Sequence, residues 1–102
     1  MAIILQPDPT FRAAVTIQPP GDGKAFDIDC EFRHKTTDER DKYLAEHKFD
    51  LDAVREILVG WKDDIVPYSD DTLIVLLANY PGAATAFITT YLRELVGARR
   101  GN

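Results

Sequence analysis

Two stretches of strict alternation, separated by prolines and glycines, constrain this chain more than any other feature. From Phe11 to Ile17 the residues Phe11, Ala13, Val15 and Ile17 fall on one side of an extended backbone, with Arg12, Ala14 and Thr16 on the other. From Phe26 to Arg33 the pattern is sharper: Phe26, Ile28, Cys30 and Phe32 face one way, and Asp27, Asp29, Glu31 and Arg33 the other. Successive side chains of a strand point to opposite faces, so both runs predict half-buried strands. Between them, Gln18-Pro19-Pro20-Gly21-Asp22-Gly23-Lys24 offers fixed φ at proline and positive φ at glycine, which is turn chemistry. The reading is an antiparallel hairpin over 11–17 and 26–33.

The register follows from burial and charge. A slip of one residue would turn one apolar set toward water, so the two sets must share a face. Pairing Ile17 with Phe26 sets Val15 opposite Ile28, Ala13 opposite Cys30, Phe11 opposite Phe32, and Arg12 against Glu31 on the wet face. Pairing Ile17 with Ile28 instead would oppose Arg12 and Arg33, and like charges directly across a ladder repel. The first register is preferred.

Helical signals follow the hairpin. Thr36-Thr37-Asp38-Glu39 has the spacing of a capping box, opening a helix over 37–48 whose apolar surface is little more than Tyr43 and Leu44, and which is therefore expected at the periphery. A second helix, 51–61, follows Asp50, with Leu51, Val54, Ile57, Leu58 and Trp61 at helical spacing. Gly60 and Pro67 favour its termination. Ser69 caps a third, 70–80, with Asp70 and Asp71 in the first turn where the helix dipole favours anions. Pro81 stands at the start of a fourth, 82–96, with Ala84, Phe87, Ile88, Tyr91, Leu92 and Leu95 on one face and Gly97 stopping it. The fold class expected is α+β: a hairpin packed on about four C-terminal helices, as a single domain over 1–102 with flexible ends at about 1–9 and 98–102.

The 102 residues allow one core, and a composition of 45% apolar residues is that of an ordinary globular domain. A net charge of −5 argues against gripping a phosphate backbone, which needs a basic face, so no nucleic-acid partner is expected. Of 17 acids, 10 lie at or before Asp50. The single cysteine, Cys30, excludes an internal disulfide and points to a reducing cytoplasm. Met1-Ala2-Ile3-Ile4-Leu5 runs into Pro7 and Pro9 with no preceding cation, unlike a secretory leader. The longest apolar run, 72–80, is about half the roughly 20 residues of a membrane span, so no membrane partner is expected.

Catalytic equipment is sparse. Cys30 and His34 are four residues apart on a strand, about 13 Å, too far for a nucleophile and its base, and Cys30 points to the apolar side. His47 reads as a solvated histidine. Asp27, Asp29 and Glu31 share a strand face, but Phe32 stands where a calcium loop needs glycine. They read instead as a solvated or edge-protecting face, or as an acidic docking surface. Asp63-Asp64 reads as loop solvation. No metal, cofactor or catalytic residue is assigned, and an enzyme is not expected. Trp61, Tyr68, Tyr80 and Tyr91 are either core or interface anchors; Tyr68, between helices, is the one expected to be exposed.

Several segments together carry a family resemblance. They are Val59-Gly60-Trp61-Lys62-Asp63, Tyr68-Ser69-Asp70, Leu76-Leu77-Ala78-Asn79-Tyr80-Pro81-Gly82-Ala83-Ala84, Tyr91-Leu92, Leu95-Val96-Gly97-Ala98-Arg99 and Asn102, with Asp8-Pro9-Thr10-Phe11-Arg12 and Phe32-Arg33-His34-Lys35 upstream. With them the chain resembles the tail assembly chaperones of tailed phages and prophages. The resemblance implies a non-enzymatic protein of the bacterial host's cytoplasm, absent from the mature virion. It also implies binding to the tape measure protein, with the tail tube protein as a second partner. Weak self-association is compatible with it. The partner surface expected is a groove among the second to fourth helices near Trp61, Tyr68 and Tyr80, together with the acidic face of Asp27, Asp29 and Glu31. The alternatives are a structural or tail-completion subunit retained in the particle, or a small adaptor.

Overall fold

A computed structural model describes residues 2–97. Residues 2–9 are exposed and irregular, tied at their end by the His34 N–H donating to the Pro9 carbonyl at 2.9 Å. The basic tail expected over 98–102 lies outside the described residues, as does residue 1.

Strands β1 (Thr10–Ile17) and β2 (Phe26–Arg33) form the hairpin, antiparallel and in the predicted register: Phe11 opposite Phe32, Ala13 opposite Cys30, Val15 opposite Ile28, Ile17 opposite Phe26. Arg12 faces Glu31 as expected, and its guanidinium lies 3.7 Å from Glu31 Oε1 and 3.1 Å from Asp29 Oδ2. Gly21 in the connection has φ +72, the left-handed region that a side chain resists.

Helix α1 (Thr37–Glu46) carries the predicted capping box. Thr36 Oγ1 accepts from the Glu39 N–H, and the Thr36 N–H donates to Glu39 Oε1 at 2.8 Å. Its place is less peripheral than the sequence implied. Tyr43 is buried and its hydroxyl donates to the Ala53 carbonyl at 2.8 Å, so one aromatic residue anchors an otherwise polar helix.

The second helix is the main correction. Helix α2 covers only Leu51–Ile57, and Leu58–Lys62 is a strand, β3, pairing antiparallel with β2 in the sheet order β1-β2-β3. Leu58 and Trp61 fit a helical stripe, yet Val59, Gly60 and Trp61 are poor helix formers or good strand formers. The open edge of β2 offers unpaired backbone groups that a third strand satisfies. Arg33 marks the change, its Nη1 donating to the Leu58 carbonyl at 3.1 Å. β2 is thus the central strand, and its acids do not protect an edge.

Helices α3 (Asp70–Asn79) and α4 (Ala83–Leu95) complete the chain. Ser69 caps α3 as predicted, and Thr72 returns the bond by accepting from the Ser69 N–H at 2.8 Å. The core lies between the apolar sheet face and α4. Tyr91 is its centre, with ring centroids 5.7 Å from Phe11, 5.3 Å from Phe32 and 6.2 Å from Tyr43. No single helix among the described residues is long and apolar enough to cross a membrane.

Candidate functional groove

Sealing differs along the sheet. Near Phe11 and Phe32 every large side chain has cover, and the Tyr91 hydroxyl donates to the Arg33 carbonyl at 2.9 Å. Near the hairpin turn a groove of about 700 Å³ remains open. The hairpin supplies one wall through Pro19, Pro20, Phe26 and Ile28, and Trp61 on β3 supplies the floor with Val66 beyond it. The opposite wall is one stripe of α3, Thr72, Val75, Leu76 and Asn79, ending at Tyr80. Their spacing of three and four residues is that of a single helix face. The groove therefore runs between the hairpin and α3, and the expected one among the second to fourth helices is displaced because Trp61 lies on a strand.

Its apolar rings are held in place. Trp61 Nε1 donates to the Val66 carbonyl at 2.8 Å, which closes the loop after β3. Asp63 Oδ1 accepts from the Ile65 and Val66 N–H groups at 2.8 and 2.9 Å. Those bonds, Val66 first, hold the Asp63 carboxyl below its usual range and so keep it ionised. The Tyr80 ring meets Phe26 edge-on at 5.6 Å.

Tyr68 stands behind Trp61, edge to face at 4.9 Å, and does not line the groove. It is half-buried, contrary to its expected exposure, because its ring lies over Gly60, where a Cβ would come within 3.3 Å of Cδ2. Burial raises its hydroxyl pKa. Trp61 and Tyr80 are thus brought together, and Tyr68 buttresses the first.

The acidic strand face is mostly occupied by cross-strand partners on β1. Thr16 Oγ1 donates to Asp27 at 2.7 Å, Arg12 pairs with Asp29, and Thr10 Oγ1 donates to Glu31 at 2.7 Å. Of the three, only Asp27 reaches the groove. Among the described residues no three His, Cys, Asp or Glu side chains come together as a cation site.

Of two titratable residues, Cys30 is packed as its place on the apolar side predicts, and His47 is not where its sequence reading puts it. Cys30 is buried, and loss of water pushes its pKa up to about 12, so the thiol is packing. His47 is not solvated by default: its Nε2 lies 2.9 Å from Glu56 Oε1, a carboxylate brought in by α2. Lys35 Nζ holds the other oxygen of Glu56 at 2.8 Å. Sequence spacing could not have found this trio, whose members come from three different segments. Phe26 and Val75 were also missed as groove residues; at 38% and 59% exposed they are signalled only by apolar character in places that the fold leaves uncovered.

No curated protein and no solved structure matches the chain. The model of one family, described as phage tail assembly chaperone, matches residues 1–102, the whole length. Matched over its whole length, the chain belongs to the phage tail assembly chaperone family.

Proposed function

We propose that the chain is a non-enzymatic chaperone that binds the tape measure protein in the host cytoplasm and assists assembly of the tail tube around it. The single observation that carries this reading is the groove, whose apolar rings and α3 stripe stand open together beside a core packed around Tyr91. Apolar surface left open at a fixed place, with aromatic anchors, is what a protein that holds another protein needs. Tyr68 acts in this reading by propping Trp61, and the paired acids Asp29 and Glu31 contribute charge to the neighbouring surface.

The test is co-purification with the tape measure protein encoded in the same phage genome. Wild type is expected to capture it, and Trp61→Ala and Tyr68→Ala, checked for folding by circular dichroism, to capture much less. Full binding by both variants overturns the groove as the binding surface. Mass spectrometry of purified particles separates a chaperone, expected to be absent, from a retained subunit.

A further inference from the structure

The groove has a polarity as well as a shape. Asp63 lines its rim, Asp27 borders it with a carboxylate turned to Thr16 on the polar face of β2, and no Lys, Arg or His is among the described residues that line the groove. Thr16 and two backbone amides hydrogen-bond these carboxylates without bringing a cation to either. The wall opposite is ten residues of α3, about 15 Å long at the rise of an α-helix, and it presents a continuous row of Val75 and Leu76 flanked by Thr72 and Asn79.

Resting on the binding reading above, we infer that the occupant of this groove is an amphipathic helical segment of the partner with Lys or Arg beside its apolar face. A helix laid along α3 packs ridges into grooves over about three turns, and its apolar stripe covers Val75, Leu76, Trp61 and Phe26. Cations flanking that stripe meet the Asp63 carboxylate at the rim and are drawn by the nearby charge of Asp27 on the other face of the strand, while an acidic flank would be repelled by both. Charge at such a rim selects among otherwise similar helices and makes binding depend on salt.

The test uses the full chain and overlapping 20-residue peptides tiled along the tape measure protein, read by fluorescence anisotropy at low and high salt. The peptides retained are expected to show apolar residues at helical spacing with flanking Lys or Arg. Val75→Glu, at a position already exposed, is expected to abolish their binding, and Leu44→Glu on α1 to leave it unchanged. The double variant Asp27→Asn with Asp63→Asn keeps the acceptor oxygens, so the fold is spared. It should weaken binding about fivefold at low salt and flatten the salt dependence. Capture of the whole tape measure protein together with retention of acidic or uncharged peptides, or insensitivity to Val75→Glu, overturns the inference while the chaperone reading stands. A dimer of the chain alone that Val75→Glu dissolves also overturns it, because the occupant is then a second copy. Failure of the wild-type chain to capture the tape measure protein overturns the chaperone reading and the inference with it.

Discussion

The two ends of the hairpin are finished in opposite ways. At the end away from the turn, Phe11, Phe32, Tyr43 and Tyr91 stack into one another, and both tyrosine hydroxyls reach backbone carbonyls. At the turn end, Phe26, Trp61 and Tyr80 have the same chemistry but no helix laid over them. Helix α4 covers the first group, whereas α3 stands off the second across a groove. Aromatic residues at core-like spacing thus do two jobs in one small domain, and the difference is where a helix is placed, not what the residues are.

Removing a ring from each end tests that contrast directly. Phe32→Ala empties a site with no exposure and should cost roughly 3–5 kcal/mol of stability in urea unfolding. The Cys30 thiol, shielded beside it in β2, should then react with a thiol reagent far faster than in wild type. Trp61→Ala, at a half-buried site, should cost about 1–2 kcal/mol while lowering partner capture at least tenfold. Equal stability losses at the two positions would break the distinction between sealed and open ends.

Smaller changes sharpen it. Tyr91→Phe keeps the packing and removes only the bond to the Arg33 carbonyl, so about 1 kcal/mol should be lost, measurable as a lower urea midpoint with unchanged slope. The smallest effect is electrostatic. Lys35, and then His47, hold the Glu56 carboxyl below its ordinary value of 4.5, so the folded chain gives up that proton more readily than the unfolded chain does. The resulting stability is complete above pH 4.5 and fades as the pH falls through the lowered value. With the Glu56 side chain 39% exposed and screened by water, Glu56→Gln should flatten that acid limb by less than about 1 kcal/mol. A flattened limb on the alkaline side would contradict the pairing.

Much of this architecture is legible because local rules decide it. Arg12, Glu31 and the alternating apolar residues point to the observed hairpin register, since a one-residue slip exposes an apolar set and setting Ile17 opposite Ile28 opposes Arg12 and Arg33. Thr36 with Glu39, and Ser69 followed by Asp70 and Asp71, announce helix starts through capping bonds that span three residues and acids placed in the first turn. Where the reading failed, the deciding partner was distant in sequence. Trp61 reads as helical because its spacing from Ile57 and Leu58 satisfies a helical period, and only the unpaired edge of β2 draws it into a strand. His47 finds Glu56, and Tyr43 finds the Ala53 carbonyl, through the packing of α1 on α2. The groove is half legible for the same reason: Trp61 and Tyr80 stand out as large aromatics in the sequence, whereas Phe26 and Val75 join them as walls, and Tyr68 props Trp61, only through the fold.

By itself the sequence determined the hairpin and its register, the helix caps, the α+β class and the resemblance that the family match bears out. Only the tertiary structure decided that α2 stops at Ile57, that β3 makes β2 a central strand, and that α3 leaves a groove beside Trp61. Periodicity and capping act between residues a few positions apart, whereas a strand edge seeking a partner and a helix face left uncovered depend on elements that meet only after the chain has folded.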